Sequence, residues 1–232
     1  MINLEFKALL ERISAYPTMG RGNLKLIILL GLFGDLDSFE FIQIIKINMS
    51  KLQSMDLNLI VIGIGDEKSR NEFCKYTGFP VEFVKYDKDA SLHQKIGCSS
   101  GLNMKINPLA NLILMCAGVK SPGTLKEVIR GYIGDKQSDQ IYQSKDQIKL
   151  GILPKFEGSL FENAGGTGFL RPFEMATLRL ENMIEVLCKW NLYMSSSDFL
   201  TQRGGTFLLD RDDKLLYSYL PVGLLTYSEN MK

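Results

Sequence analysis

Two carboxylates stand directly after the first long apolar run of the sequence. That run covers residues 24–33, and after it come Gly34, Asp35, Leu36, Asp37 and Ser38. Ligands of open α/β sheets bind where a strand ends and the next helix begins, because the helix N-terminus there stabilises a thiolate, an oxyanion or a phosphate. The spacing therefore predicts a binding site in this loop. Helix capping by the two acids is an equally good interpretation of the same residues.

The Asp35-Leu36-Asp37 spacing is also similar to that of haloacid-dehalogenase-like phosphatases. In that family the first Asp is the nucleophile and the second is the acid/base, while magnesium neutralises the charge on the phosphate. Gly34 before the first Asp departs from the family pattern, and so does Phe39 in the place of the usual Thr. A magnesium-dependent phosphatase is kept as an alternative, with Asp35 and Asp37 in those two roles.

A second candidate group lies near the end of the chain, where Arg203, Gly204 and Gly205 precede an apolar strand. The planar guanidinium of an arginine can orient an anionic or peroxide-like group, and glycines permit a close approach of two backbones. We expect Arg203 and Thr206 to line the same site as the acidic loop. The alternative is that the glycines only shape a hairpin while Arg203 pairs with an acid.

The four cysteines are widely separated and include no C-x-x-C pair, so zinc and dithiol redox spacings are both absent. Cys98 precedes a Ser-Ser-Gly loop and is predicted to be the most exposed thiol. It is the candidate for a relocated thiol site, whereas Cys74, Cys116 and Cys188 are predicted to be core thiols. The single histidine, His93, is predicted to be a surface or hydrogen-bonded residue. We predict no metal and no cofactor.

Length and composition exclude several functional classes. The 232 residues carry 27 Lys and Arg against 26 Asp and Glu, for a net charge of +1, and 45% are hydrophobic. These values are typical of a globular protein. The scattered charges form no basic face for nucleic acid, and no apolar run reaches the ~20 residues of a membrane span. We expect a soluble cytoplasmic protein. Its partner is expected to be a small molecule or a protein and not a nucleic acid or a membrane. A homodimer is left open.

Alternating strand and helix patterns place these residues in an α/β protein. Strands are predicted over residues 24–33, 57–65, 83–87, 205–210 and 215–219. Helices are predicted over residues 3–15, 39–55, 66–76, 90–96, 108–119, 124–133 and 172–190. Asp37 and Glu40 are predicted to form a capping box at the start of the second helix. Residues 134–167 are predicted to be a long functional or mobile loop.

Two segments carry a family resemblance: SPGTLKEVIRGYIGD at residues 121–135 and RGGTFLLD at residues 203–210. Together with the strand, loop and helix at residues 24–55, they resemble the peroxiredoxin-like branch of the AhpC/TSA antioxidant family. The likeness covers residues 24–227 and implies a thioredoxin-like mixed sheet with flanking helices. The chain is then a single domain over residues 1–232. It carries an N-terminal helical extension over residues 1–23 and a helical and loop insertion at about residues 100–200, before the C-terminal β-hairpin.

In active members of that family, the resemblance implies a catalytic cysteine at the start of the helix after the first strand. This chain has no cysteine before Cys74, and neither Asp nor Ser can form a sulfenic acid or a disulfide. We therefore expect no standard thiol peroxidase activity. The former active-site loop is expected to bind a ligand or partner, and a thiol-dependent antioxidant oxidoreductase using Cys98 is the alternative.

Overall fold

The computed structural model describes Leu10 and residues 22–55, 57–194 and 196–227. The helix predicted over residues 3–15 lies outside the described residues, apart from Leu10. The strands are β1 Leu24–Leu32, β2 Leu57–Ile64, β3 Val84–Asp87, β4 Gln147–Ile148, β5 Phe156–Glu157, β6 Gly205–Leu209 and β7 Leu215–Tyr219. The helices are α1 Leu36–Ile47, α2 Met49–Ser54, α3 Glu67–Thr77, α4 Ser91–Lys95, α5 Pro108–Cys116, α6 Thr124–Ile133, α7 Ser159–Gly165, α8 Glu174–Cys188 and α9 Trp190–Tyr193.

Five strands form one mixed sheet in the order β3-β2-β1-β6-β7. β1 runs parallel to β2 and antiparallel to β6, and β6 and β7 form the predicted hairpin. β1 and β2 read as nearly continuous apolar runs because both faces of a central strand are buried. The predicted α/β fold of thioredoxin-like type, with flanking helices, is confirmed.

Both faces of the sheet carry core side chains, since successive residues of a strand point to opposite faces. On one face, the aromatic rings of Phe33, Phe39 and Phe73 join the end of β1 to α1 and α3, with ring centroids 4.9–5.1 Å apart. On the other face, Leu29 and Phe207 pack in a second cluster with residues of α4. The loop between β1 and α1 is therefore attached to the core at both of its ends.

The start of α1 differs from its prediction. Asp35, not Asp37, is the N-cap, and its side chain accepts a hydrogen bond from the Asp37 N–H. The predicted capping box is wrong, because the Asp37 carboxylate and the buried Glu40 carboxylate both pair with arginines instead. The helix also ends earlier, at Ile47, and α2 begins at Met49.

The segment predicted as a long loop, residues 134–167, contains the β4–β5 hairpin and α7. A buried ion pair anchors it, because Arg171 donates to Glu174 and to the Tyr142 carbonyl. The Glu174 carboxylate also accepts the N–H groups of Ile141 and Tyr142. These long-range bonds order a polar segment that has little hydrophobic periodicity of its own. Within the described residues, no helix is both long and apolar enough to cross a bilayer.

Candidate functional site

Asp35, Asp37 and Arg203 meet in a buried cluster where β1 ends and α1 begins. Arg203 is 1% exposed, and its Nη1 lies 2.9 Å from Asp37 Oδ2 while its Nη2 lies 3.2 Å from Asp35 Oδ2. The guanidinium also donates to the carbonyls of Thr201 and Leu200. Both carboxylates and both carbonyls thus hold the arginine in one orientation, and its charge is compensated within the protein.

Close packing of β6 against β1 brings Arg203 to this position. A Cβ atom on Gly204 would lie 1.8 Å from the Leu29 carbonyl oxygen, so a glycine is required there. The Arg203 N–H donates to the Ser99 carbonyl at 2.8 Å. The structure shows the close approach of two backbones at Gly204. It also shows what the alternative interpretation expected of Arg203, which pairs with acids.

A small pocket of about 20 Å³ lies beside the cluster, large enough for one water molecule. Its lining includes Asp35, Asp37, Ser38, Arg203 and Thr206, so the structure brings the two sequence-predicted groups together. The Ser38 side chain is 1% exposed, and its Oγ has no hydrogen-bond partner among the described residues.

The Asp37 carboxylate also binds the last described segment of the chain. Both of its oxygens accept the Leu225 N–H at 2.9 Å. Burial and the neighbouring Asp35 charge raise the pKa of Asp37 to about 7, although Arg203 and the Leu225 N–H oppose the shift. Burial also raises the pKa of Asp35. Two buried carboxylates that share one guanidinium cannot both ionise easily, so Asp37 can hold a proton near neutral pH.

On the other side of the loop lies a larger cavity of about 270 Å³. Its wall is almost entirely apolar, and helices α5, α6 and α8 supply half of its lining residues. The polar groups on the wall come from four residues, Asp35, Asp37, Cys116 and Thr124. The apolar side chains are Leu36, Leu109, Leu112, Ile113, Val128, Met183, Val186, Leu187, Trp190, Met194, Leu200, Leu224 and Leu225, and Gly34 completes the lining. An apolar cavity with a few convergent polar groups is the usual form of a small-molecule site.

Cys98 lies away from this cavity, and the prediction that it is exposed is wrong. The side chain is 6% exposed and packs with Leu29 and Phe207 against one face of the sheet. Burial raises the pKa of the Cys98 thiol to about 12. The neighbouring His93 is fully buried rather than at the surface, and its Nε2 lies 2.7 Å from the Leu30 carbonyl oxygen. Sequence alone could not show that the Cys98 side chain packs against the sheet.

Cys116 is the thiol that lies at the cavity, although it was predicted to be a core residue. It is exposed, as is Cys188, while Cys74 is buried as predicted. A signal was present in α5, because Leu109, Leu112, Ile113 and Cys116 occupy one face of the helix, the face that lines the cavity. Burial and the charges of Asp35 and Asp37 raise the pKa of the Cys116 thiol, so the thiolate is disfavoured.

The geometry does not favour the phosphatase alternative. Arg203 already pairs with Asp35 and Asp37, and its positive charge opposes a magnesium ion between them. Across the described ranges, no group of three or more His, Cys, Asp or Glu residues is placed to hold a metal ion. Magnesium prefers several oxygen ligands in an octahedral arrangement, which these two buried carboxylates do not offer.

Comparison with known proteins supports the family resemblance. The sequence profile of the AhpC/TSA antioxidant enzyme family matches residues 45–221, about three quarters of the chain. The match includes Arg203 and the β6–β7 hairpin but begins after the loop that contains Asp35 and Asp37. No curated protein and no solved structure matches the chain. From its fold and from the extent of the profile match, the chain belongs to the AhpC/TSA antioxidant enzyme family.

Proposed function

We propose that this chain is a peroxiredoxin-like protein that binds a small, largely apolar molecule beside the former active-site loop and has no standard thiol peroxidase activity. The observation that carries this proposal is the apolar cavity of about 270 Å³ that reaches Asp35 and Asp37, at a loop without cysteine. The loop that carries the nucleophilic cysteine in active relatives forms one wall of a cavity in this chain.

The chemistry of the cluster supports binding over peroxide turnover. Peroxidatic chemistry needs a thiolate nucleophile and a cation that orients the peroxide. The chain has no thiol in this loop, and the charge of Arg203 is taken up by Asp35 and Asp37. Asp37, whose pKa is raised to about 7, can donate a hydrogen bond from its protonated form. We therefore expect a ligand with an apolar body and one hydrogen-bond acceptor.

Binding is tested with N-phenyl-1-naphthylamine, a neutral apolar dye whose fluorescence rises in apolar sites. The unmodified protein should bind the dye, and Val128→Trp should abolish binding because the indole would fill the cavity. Val81→Trp is the matched control, since Val81 is exposed on another part of the surface. Failure of the unmodified protein to bind the dye, or equal binding by Val128→Trp, would contradict the proposal.

A thiol-dependent oxidoreductase is the second candidate. Cys116 is a better candidate thiol for it than Cys98, because Cys116 lines the cavity and Cys98 is buried. Cys116 faces the cavity, and its thiolate could attack a peroxide O–O bond to form a sulfenic acid and release water or an alcohol, after which an external thiol would reduce the sulfenic acid. Consumption of cumene hydroperoxide with dithiothreitol distinguishes the two functions. We expect no turnover. Turnover that is lost in Cys116→Ser and kept in Cys98→Ser would establish the oxidoreductase instead.

A further inference from the structure

The helices around the cavity present a continuous apolar surface to solvent. Residues of three helices form it, and we call it the α5–α6–α8 surface: Leu109, Ile113, Leu125, Ile129, Met183 and Leu187. Ile113 and Leu187 are both 60% exposed and Ile129 is 56% exposed. Four of the six line the mouth of the cavity, and the other two lie on α6 beside Val128, which also lines it. The six side chains are therefore neighbours and not scattered exposed residues.

The surface extends along α6 through Tyr132 and Ile133, which follow Ile129 at helical spacing. The ring of Tyr132 meets Phe173 at a centroid distance of 6.0 Å, and both residues are exposed. The opposite face of α6 is buried, including Glu127 and Arg130. A large exposed apolar patch of this kind marks an interaction site, since scattered single side chains are the normal pattern.

The exposed charges around this surface are mostly positive. The acids Glu181 and Glu185 of α8 pair with Tyr142 and Lys189, and the exposed Asp198 lies on a short 3-10 helix that contacts α5. Four lysines in the segment that contains α5 and α6 are exposed: Lys105, Lys120, Lys126 and Lys136. The acids of the same segment do not offset them at the surface, because Glu127 is 2% exposed and Asp135 pairs with Arg130. Two copies of the chain joined through this surface would bring their lysines together. An anionic lipid surface would instead attract Lys105, Lys120 and Lys136.

We propose that the α5–α6–α8 surface docks on the surface of a membrane that contains anionic lipids. Apolar side chains enter the boundary between headgroups and acyl chains, and the lysines pair with the headgroups. The absence of a membrane partner was expected because no apolar run could span a bilayer, but a surface that lies on a bilayer needs no such run. This inference does not depend on the ligand-binding proposal, although the cavity opens within the same surface.

Sedimentation of the full chain with lipid vesicles tests the proposal. The protein should bind vesicles of phosphatidylcholine mixed with phosphatidylserine, bind phosphatidylcholine alone weakly, and dissociate at high salt. Ile129→Ser should weaken binding about tenfold through loss of apolar burial. Lys120→Gln should weaken it about fivefold.

Matched controls lie on the hairpin at the far edge of the sheet. Leu216→Ser and Lys214→Gln replace exposed residues of the same kinds there and should leave binding unchanged. The thermal unfolding midpoint of Ile129→Ser shows whether that variant still folds. If the midpoint falls, vesicle binding by Lys120→Gln decides the test instead. No binding to either vesicle type overturns the proposal, as does equal weakening by the controls. A concentration-dependent dimer that Ile129→Ser abolishes, without vesicle binding, assigns the surface to a second copy instead.

Discussion

Replacement of Asp37 by asparagine should flatten the pH dependence of stability. Asp37 sits beside Asp35 in a buried cluster with one guanidinium, and its pKa is raised from 3.8 to about 7. Below pH 3.8 the carboxyl group holds its proton in both the folded and the unfolded state. Between pH 3.8 and about 7 the folded protein keeps a proton that the unfolded chain has released. Stability from this group is therefore lost as the pH rises through that window.

The magnitude follows from the width of the window that is measured. A difference of one bound proton changes the free energy of unfolding by about 1.4 kcal/mol per pH unit. From pH 5 to pH 7, Asp37 should therefore lower the free energy of unfolding of the unmodified protein by about 2 kcal/mol, because the folded protein has released about half of that proton by pH 7. Asparagine does not titrate, and its amide oxygen can still accept the Leu225 N–H. Over the same pH range, the free energy of unfolding of Asp37→Asn should therefore fall by that amount less than the free energy of unfolding of the unmodified protein does.

Urea unfolding at pH 5, 6, 7 and 8 measures the effect, with Asp139→Asn as the control. Asp139 is exposed and pairs with Lys51 at the surface, so its replacement should leave the pH profile of the free energy of unfolding unchanged. Superimposable profiles for Asp37→Asn and the unmodified protein between pH 5 and pH 7 would refute the reasoning. The Asp37 side-chain carbon resonance should also titrate near pH 7 in the folded protein.

Three further predictions concern the packing of the site. Arg203→Met leaves two buried carboxylates without their cation and should lower the free energy of unfolding by about 3–5 kcal/mol in urea titrations at pH 7. Gly204→Ala places a methyl group against the Leu29 carbonyl and should separate β1 from β6, seen as a lower thermal unfolding midpoint or as insoluble protein. A thiol reagent should label only Cys116 and Cys188 in the folded protein and all four cysteines after unfolding, as counted by mass spectrometry.

Local patterns in the sequence predicted most elements of the sheet. The apolar runs at β1 and β2 and the turn between β6 and β7 carry their signals within about ten residues. The bounds of α6 were also predicted, because its amphipathic pattern is bounded by glycines at both ends. The N-cap of α1 was predicted two residues late, since Asp35 and Asp37 are both acceptable caps. Only the position of Arg203 shows that Asp37 is engaged elsewhere.

The candidate site was predicted in part. Asp35, Asp37 and Arg203 were predicted to line one site because a guanidinium can orient an anionic group, and the structure brings the three together. The exposure of Cys98 and Cys116 was predicted the wrong way round. A cysteine is small and moderately apolar, so the types of its neighbours along the chain say little about its burial.

The sequence by itself determined the chemistry that the loop can do, because a chain without cysteine before residue 74 cannot place a thiolate after β1. It also determined most of the element types, since strand and helix periodicities are local, but not those of residues 134–167. Only the tertiary structure decided which side chains face each other. The pairing of Asp37 with Arg203 spans 166 positions along the chain, and the cavity and the α5–α6–α8 surface both arise from helices that meet only after folding. Burial and contact depend on the packing of distant segments, which no local pattern records.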